Sequence, residues 1–164
     1  MNGKFVVNGK QYQFNFNSDE RLLFTLRNHG FKEVKNGCLE GECGACLILL
    51  NGKPVNSCQV FTASAIGKDI KTVKGIGNLH EPHVIQEAFV EAGAVQCGYC
   101  TPGMVLATYA LLQNKPKPSE SEIKNALDGN LCRCTGYVKI IEAVKLAAER
   151  LNGVKENKAL YGEK

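Results

Sequence analysis

Four cysteines in two short pairs constrain the second half of this chain more than any other feature. Cys97 pairs with Cys100 and Cys132 with Cys134, and each pair runs into a helix-start signal, Thr101-Pro102 or Thr135-Gly136. Threonine favours the N-cap of a helix and proline its first turn. We therefore expect two helix N-termini to meet, with four thiolates at their positive dipole ends. Four thiolates at two helix N-termini would suit a thiolate-ligated metal centre.

Composition and cysteine count narrow the class of protein. The chain has 164 residues, eight cysteines and a net charge of +4, and 44% of its residues are hydrophobic. Its basic residues are scattered, so we expect no nucleic-acid binding. No stretch approaches the roughly 18 apolar residues of a membrane span, and the first residues carry no apolar run typical of a secretion signal. We therefore expect a cytoplasmic protein whose cysteines serve metal sites rather than disulfides.

A second set of cysteines lies in the first half of the chain. Cys38, Cys43 and Cys46 follow the C-x4-C-x2-C spacing of plant-type ferredoxins. A loop wrapped around a cluster needs unusual backbone angles and a close approach of N–H groups to the sulfur atoms. Glycines stand beside and between these cysteines, at Gly37, Gly41 and Gly44. The pattern predicts an iron–sulfur centre in this loop.

A predicted hairpin places the fourth ligand of this set. An apolar strand at 47–50 is followed by the turn Asn51-Gly52 and a return strand at 54–60. In that register Cys46 pairs with Ser57 and Ala45 with Cys58. Directly opposed residues lie about 5 Å apart, so Cys58 returns beside the loop. We predict that Cys58 completes the set of Cys38, Cys43 and Cys46.

The rest of the first half has the element order of a ferredoxin-like β-grasp. Asn8-Gly9 joins two strands with a two-residue turn, so that Val7 faces Lys10 and Phe5 faces Tyr12. Ser18 is the expected cap of a short helix that follows. A strand at about 70–73 closes the sheet. We assign residues 1–78 to this plant-type 2Fe-2S domain.

Helical periodicity replaces the strand pattern in the second half. Helices are predicted at about 82–92, 102–113, 119–128 and 137–151. Ser119 with Glu122 forms a capping box, His83 is a helix-start residue rather than a metal ligand, and Asn152-Gly153 ends the last helix. We expect an α+β chain with a four-helix domain at 79–153 and a mobile tail at 154–164.

Zinc is the competing metal for the second cysteine set, because four-cysteine sites built from close pairs are common structural zinc centres. Two observations favour an iron–sulfur cluster. The chain already carries a plant-type iron–sulfur pattern, and the helices have enough apolar surface to fold without a structural metal. Two clusters in one small chain are interpreted as an electron relay.

Three motifs closely resemble the iron–sulfur subunit of the xanthine dehydrogenase family of molybdenum hydroxylases. They appear in order in the range from about Lys4 to Leu151. The motifs are Gly37-Cys38-Leu39-Glu40-Gly41-Glu42-Cys43-Gly44-Ala45-Cys46, Gln96-Cys97-Gly98-Tyr99-Cys100-Thr101-Pro102-Gly103 and Gly129-Asn130-Leu131-Cys132-Arg133-Cys134-Thr135-Gly136-Tyr137.

The resemblance implies a β-grasp domain and a four-helix domain, each holding one 2Fe-2S cluster. It also implies a large partner subunit with a molybdopterin cofactor, a further subunit with FAD, and a heterotrimer or a dimer of heterotrimers. Electrons would pass from molybdenum to the cluster of Cys97, Cys100, Cys132 and Cys134, then to the plant-type cluster and on to FAD. Gln96 and Cys134 match the family residues that contact the pterin. No residue of this chain would be catalytic.

The sequence leaves two rival functions open. A free two-cluster electron carrier is one, although the fourth cysteine lies much closer to Cys46 than in free plant ferredoxins. A structural or regulatory zinc protein is another. Among molybdenum hydroxylases, purines such as xanthine are the first expectation for the substrate of the complex. Aldehydes, nicotinate, carbon monoxide and aromatic CoA thioesters are the alternatives.

Overall fold

The computed structural model describes the backbone of residues 1–161 and the side chains of residues 1–153. The strands are β1 (Asn2–Val7), β2 (Lys10–Asn15), β3 (Leu47–Leu50), β4 (Lys53–Asn56) and β5 (Asp69–Lys71). The helices are α1 (Leu22–Asn28), α2 (Val84–Glu91), α3 (Thr101–Asn114), α4 (Glu120–Leu127) and α5 (Val138–Tyr161), and three 3-10 turns cover Ser57–Gln59, Thr62–Ala65 and Val73–Gly75. Strands therefore fill the first half and helices the second, which confirms the α+β class. Within the described residues, no helix has the length and apolar character needed to cross a membrane.

One five-stranded sheet, in the order β2-β1-β5-β3-β4, holds the first half together. Both hairpins have the predicted register: Val7 lies opposite Lys10, and Leu47 opposite Asn56. Their turns take positive φ at both central residues, 52° at Asn8 and 76° at Gly9 in the first, as a two-residue turn requires. The short strand β5 runs parallel to β1 and antiparallel to β3, so it joins two separate hairpins into one sheet.

Strand β3 is buried on both faces and therefore belongs to both hydrophobic cores. Ile48 packs with the first core, whereas Leu47 and Leu49 pack with the second. Successive side chains of a strand point to opposite faces, which explains the uninterrupted apolar run. The first core is made by Phe5, Val7, Phe14, Phe16, Leu22, Leu23, Leu26 and Ile70 with Ile48. The helical half is thus packed directly on the sheet rather than joined to it by a free linker.

The helical half is a bundle of α2, α3, α4 and α5 around a buried apolar core. Its fully buried members include Ile85, Phe89, Met104, Leu106, Ile123, Ile140 and Val144. The predicted capping box is confirmed: Ser119 Oγ accepts from the N–H of Glu122, whose side chain bonds back to Ser119 N. His83 is likewise the N-cap of α2 and shares a capping box with Gln86, so its assignment as a helix-start residue is confirmed.

The expected helix cap at Ser18 is wrong. Helix α1 begins at Leu22, its N-cap is Arg21, and no side chain caps it. Arg21 instead forms an isolated bridge with Phe61, and Leu22 N donates to Val60 O at 2.8 Å. Ser18 instead lies in a turn in which Glu20 N donates to Asn17 O at 3.0 Å, and Arg21 stays extended beside the distant segment that it pairs with.

The expected end of the last helix at Asn152-Gly153 is also wrong, because α5 continues to Tyr161. Asn152 Nδ2 bonds Ala148 O and Pro116 O, both at 2.8 Å, and Gly153 does not adopt the positive φ of a C-terminal glycine. Much of the predicted mobile tail, 154–164, is therefore helical. Its last residues, 162–164, lie outside the described residues.

Candidate metal centres

The loop from Gly37 to Cys46 turns its backbone N–H groups toward cysteine sulfurs. Cys38 Sγ accepts from the N–H groups of Glu40 and Cys43, and Cys43 Sγ accepts from Cys38 N, each at 3.4 Å. Leu39 adopts φ 65°, a conformation that side chains with a Cβ rarely take. At Gly37, an added Cβ would lie 2.6 Å from Cys43 Sγ. Only a glycine there lets the backbone approach the sulfur.

These N–H groups favour the thiolate form of Cys38. Hydrogen bonds from the backbone of Glu40 and then of Cys43 lower the pKa of the Cys38 thiol to about 6. A thiolate, not a thiol, is the form that binds a metal. The loop therefore presents Cys38 ready for ligation at neutral pH.

The β3–β4 hairpin returns Cys58 to the loop, but the predicted strand to residue 60 is too long, because pairing ends at Asn56 and Cys58 lies in the 3-10 turn Ser57–Gln59. Ser57 donates to Cys46 O from its backbone N at 3.3 Å and from Oγ at 2.8 Å. Cys46 and Cys58 are both buried and lie in contact. Burial, together with the neighbouring Cys58, raises the pKa of Cys46 to about 11. A bound metal reverses that preference, because a coordinating thiol loses its proton.

The second cysteine set also forms two contacting pairs. Cys97 Sγ and Cys134 Sγ lie 3.6 Å apart. Burial, and next the hydrogen bond with Cys132, raises the pKa of Cys100 to about 12. For Cys132 itself burial acts to raise the pKa, yet hydrogen bonds led by the Thr135 hydroxyl outweigh it and the pKa is lowered. The helix bundle thus brings residues from two distant loops into one site.

Helices α3 and α5 begin within a residue of their predicted starts, but neither has the expected threonine N-cap. Helix α3 begins at Thr101, with Cys100 as its N-cap and no side-chain cap. Helix α5 begins at Val138, directly after Tyr137, whose φ of 68° is not helical. Thr135 is not a helix cap. Its Oγ1 lies 3.1 Å from Cys132 Sγ instead.

The arrangement of the cysteines fits a two-iron cluster at each site. Each set consists of two close pairs, Cys38 with Cys43 and Cys46 with Cys58, and Cys97 with Cys134 and Cys100 with Cys132. A 2Fe-2S cluster takes four thiolates, two on each iron. In the described part of the chain, no three or more His, Cys, Asp or Glu side chains gather as the ligands of one ion.

The two cysteine loops touch each other. Leu131 N donates to Cys43 O at 2.9 Å. Asn130, only 4% exposed, fills the space beside Gly44 and Gly103, where a Cβ on either glycine would lie within 3 Å of its Oδ1. The two sites are therefore neighbours held at a fixed separation.

The two sites differ in their exposure. Cys97 and Cys134 are exposed, whereas Cys46 and Cys58 are buried. Gln96, the neighbour of Cys97 in the chain, is exposed as well. Large apolar side chains close in sequence to Cys132 and Cys134 are also exposed, Leu131 by 59% and Val138 by 61%. The second site thus opens directly onto a partly apolar face.

Two family models match the chain and divide it as the cysteine sets do. A 2Fe-2S iron–sulfur cluster binding domain matches residues 5–69, and a second 2Fe-2S binding domain matches residues 72–145. The small FeS subunit of nicotinate dehydrogenase from Eubacterium barkeri is 48% identical over 88% of this chain and 92% of that subunit.

The chain belongs to the family of small iron–sulfur subunits of molybdenum hydroxylases.

Other members of this small-subunit family cover nearly the whole fold. The iron–sulfur-binding subunit of xanthine dehydrogenase from Escherichia coli O157:H7 is 43% identical over 85% of this chain and 89% of that subunit. A chain of quinoline 2-oxidoreductase from Pseudomonas putida 86 superposes with a TM-score of 0.88 at 36% identity, covering 93% of this chain and 96% of the other. The predicted β-grasp and four-helix domains, and the predicted partner subunits in general, are thereby confirmed.

Several residues that contact the two cysteine sets have no sequence pattern that predicts this role. Gln59 Nε2 bonds Cys58 Sγ at 3.3 Å, and Tyr137 Oη accepts from Cys132 N at 3.0 Å. Asn130 is buried beside Gly44 and Gly103, where the two cysteine loops meet. Their adjacency to the cysteines is the one signal that could have drawn attention to them. The roles themselves depend on contacts made across the fold.

Proposed function

We propose that this chain carries electrons between two partner subunits of a molybdenum hydroxylase, and that Cys38, Cys43, Cys46, Cys58 and Cys97, Cys100, Cys132, Cys134 are the cluster ligands. A 2Fe-2S cluster, when bound, accepts and releases single electrons. The hydrogen bond from Leu131 N to Cys43 O, 2.9 Å long, carries the proposal. This bond links the two ligand sets directly. An electron relay needs such a connection between its clusters, whereas two independent structural metals do not.

The chain's own residues give the relay two different ends. The exposed Cys134 and Gln96 lie where a partner's molybdopterin could reach the second set. We propose this surface as the entry for electrons. The first set, with Cys46 and Cys58 buried, would serve as the exit toward FAD in another subunit. The chain contributes sulfur ligands, hydrogen bonds and shielding from water, and no catalytic group.

The proposed assembly is a heterotrimer, or a dimer of heterotrimers, in the cytoplasm. Relatives that are separate small subunits support the first part of this proposal. The eight free cysteines of the chain are expected in a reducing compartment, where thiolates stay available to iron. We retain residues 1–78 and 79–153 as the two domains of this proposal. The apolar residues around Cys134 would be covered by the molybdenum subunit.

We propose that the complex hydroxylates a nitrogen-containing aromatic ring. Relatives are named for nicotinate, xanthine and quinoline, which share that chemistry, and purines remain the first expectation. Aldehyde-oxidising relatives have similar chains, so an aldehyde is the alternative. The small subunit does not contact the substrate in this scheme, since selectivity rests with the partner.

Purification of the native complex tests the function. We expect the chain to co-purify with molybdenum- and flavin-containing subunits, with about four irons on the small chain and two distinct reduced-state EPR signals. A monomer carrying both clusters would support the free electron carrier instead. A colourless chain with bound zinc would overturn the iron–sulfur assignment. Turnover of purines, nicotinate and aldehydes by the same complex would then identify the substrate class.

A further inference from the structure

The side chain of Gln59 bonds directly to a sulfur of the first cysteine set. Its Nε2 lies 3.3 Å from Cys58 Sγ and 3.0 Å from Leu39 O. A side-chain amide nitrogen carries two hydrogens, so one is donated to the sulfur and the other to the carbonyl. Both donors of this amide are occupied within the cluster loop.

The surroundings of Gln59 hold its amide in place. At Gly41, a Cβ would come within 2.9 Å of Gln59 Cγ, so the side chain packs closely over that glycine. Leu39 O also accepts from Arg21 Nη1 at 2.8 Å. The Leu39 carbonyl that holds the Gln59 amide is therefore itself held in place, although Gln59 is exposed.

Thr135 makes the corresponding contact in the second set. Its Oγ1 lies 3.1 Å from Cys132 Sγ and accepts from Tyr137 N at 3.2 Å. Because the hydroxyl oxygen already accepts that N–H, its own hydrogen is free for the sulfur. Among the described side chains, Gln59 and Thr135 thus give each cysteine set a donor on one of its sulfurs.

We propose that Gln59 and Thr135 are positioning residues that set the reduction potentials of the two clusters separately. The inference rests on the proposed function, because it takes Cys58 and Cys132 as ligands. Reduction adds negative charge to a cluster, and part of that charge resides on its sulfurs. A hydrogen bond to sulfur therefore stabilises the reduced form more than the oxidised form and raises the potential.

Backbone N–H groups also bond Cys38, Cys43 and Cys132, and a side-chain substitution leaves them in place. The side-chain donors Gln59 and Thr135 are therefore the hydrogen bonds to sulfur that a substitution can remove. With Gln59 at the proposed exit, its bond favours the arrival of electrons there. Thr135 makes reduction of the entry cluster easier in the same way.

The test is a potentiometric titration of the purified complex, followed through the EPR signal of each reduced cluster. Gln59→Met keeps the length of the side chain and removes the donor. We expect it to lower the midpoint of one signal, to leave the other unchanged, and to abolish one exchangeable-proton hyperfine coupling. Gln59→Glu, which removes the same donor and adds negative charge, should lower that midpoint further. Thr135→Val should lower the midpoint of the other signal alone.

Asn56→Leu is the matched control within the first loop. Asn56 Nδ2 donates to Gly41 O at 2.6 Å, so the substitution also removes one neutral amide donor from the loop, yet not from a sulfur. We expect both midpoints to stay at their wild-type values. An equal shift in Asn56→Leu and Gln59→Met would overturn the proposal, because loop loosening would then explain both.

Other outcomes separate this inference from the proposed function. Two EPR signals with unaltered midpoints in Gln59→Met and Thr135→Val would reject the tuning role and keep the relay. A wild-type complex with fewer than two signals would reject the relay itself. A common shift of both signals in either variant would also contradict separate tuning.

Discussion

Leu131 N donates a 2.9 Å hydrogen bond to Cys43 O and so joins the two cysteine loops. Leu131 precedes Cys132, and Cys43 belongs to the first set. The path from one proposed ligand set to the other therefore consists of covalent bonds and a single hydrogen bond. Two glycines make this approach possible. At Gly103, an added Cβ would lie 2.4 Å from Gly44 O.

Gly103→Ala is expected to destabilise the chain by about 1–3 kcal/mol, because the added methyl group must push the two loops apart. Alanine is the better helix former, and Gly103 lies in α3, so propensity alone predicts the opposite sign. Chemical denaturation measures the free energy of unfolding.

Gly153→Ala is the matched control for this substitution. Gly153 also lies within a helix, α5, and no atom of the described residues lies within 4 Å of its added Cβ. We expect a stabilisation of about 0.5–1 kcal/mol there. If Gly103→Ala were as stabilising as Gly153→Ala, the loops would not be in close contact.

Substitution of single ligands should separate the two centres. Cys134→Ser is expected to remove one of two reduced-state EPR signals and to block turnover, since Cys134 belongs to the second set. Cys46→Ser should remove the other signal, because Cys46 pairs with Cys58. EPR spectra and iron content of both variants provide the measurement. Loss of the same signal in both variants would show that the division into sets is wrong.

Gln96→Ala should leave both clusters loaded and slow their reduction by substrate. One hydrogen bond worth about 1.4 kcal/mol corresponds to about a tenfold slower step. Stopped-flow reduction of the complex measures the rate. Gln13→Ala, at an exposed position on β2, is the control and should behave as wild type. Equal rates in Gln96→Ala and Gln13→Ala would remove Gln96 from the electron path.

The free energy of unfolding should fall as the pH drops below about 6.5. Burial lowers the pKa of His83 from its ordinary 6.5, against the opposing effect of the Glu87 carboxylate. The unfolded chain therefore binds a proton at a higher pH than the folded chain does, so protonation favours unfolding. His83 Nδ1 also accepts the N–H of Ile85 at 3.2 Å, and a protonated nitrogen cannot.

His83→Asn keeps a cap acceptor and removes the titration. Its unfolding free energy, measured by denaturation between pH 5 and pH 8, should vary less with pH than that of wild type. An unchanged slope in His83→Asn would mean that this histidine does not contribute to the pH dependence.

The sequence predicts correctly those features that depend on residues close together in the chain. The registers of both hairpins follow from Asn-Gly turns and the period of two, and the Ser119 capping box follows from its spacing. The local pattern at Ser18 predicts a cap wrongly, because Leu22 N is engaged by Val60 O, a partner far along the chain. Local sequence patterns do not predict the roles of Gln59 and Asn130 for the same reason. Their contacts exist only after the hairpin, the loop and the bundle have come together.

Strand β5 has a consequence for the order of events during synthesis. Its three residues, Asp69–Lys71, lie between the β1–β2 hairpin and the β3–β4 hairpin in the sheet and pair with both β1 and β3. An isolated two-stranded hairpin is marginally stable in water. A ribosome that has translated all four cysteines of the first set, but not yet exposed β5, therefore holds two hairpins that are not yet joined in one sheet. We expect iron–sulfur insertion at the proposed ligands Cys38, Cys43, Cys46 and Cys58 to follow the emergence of β5 from the exit tunnel.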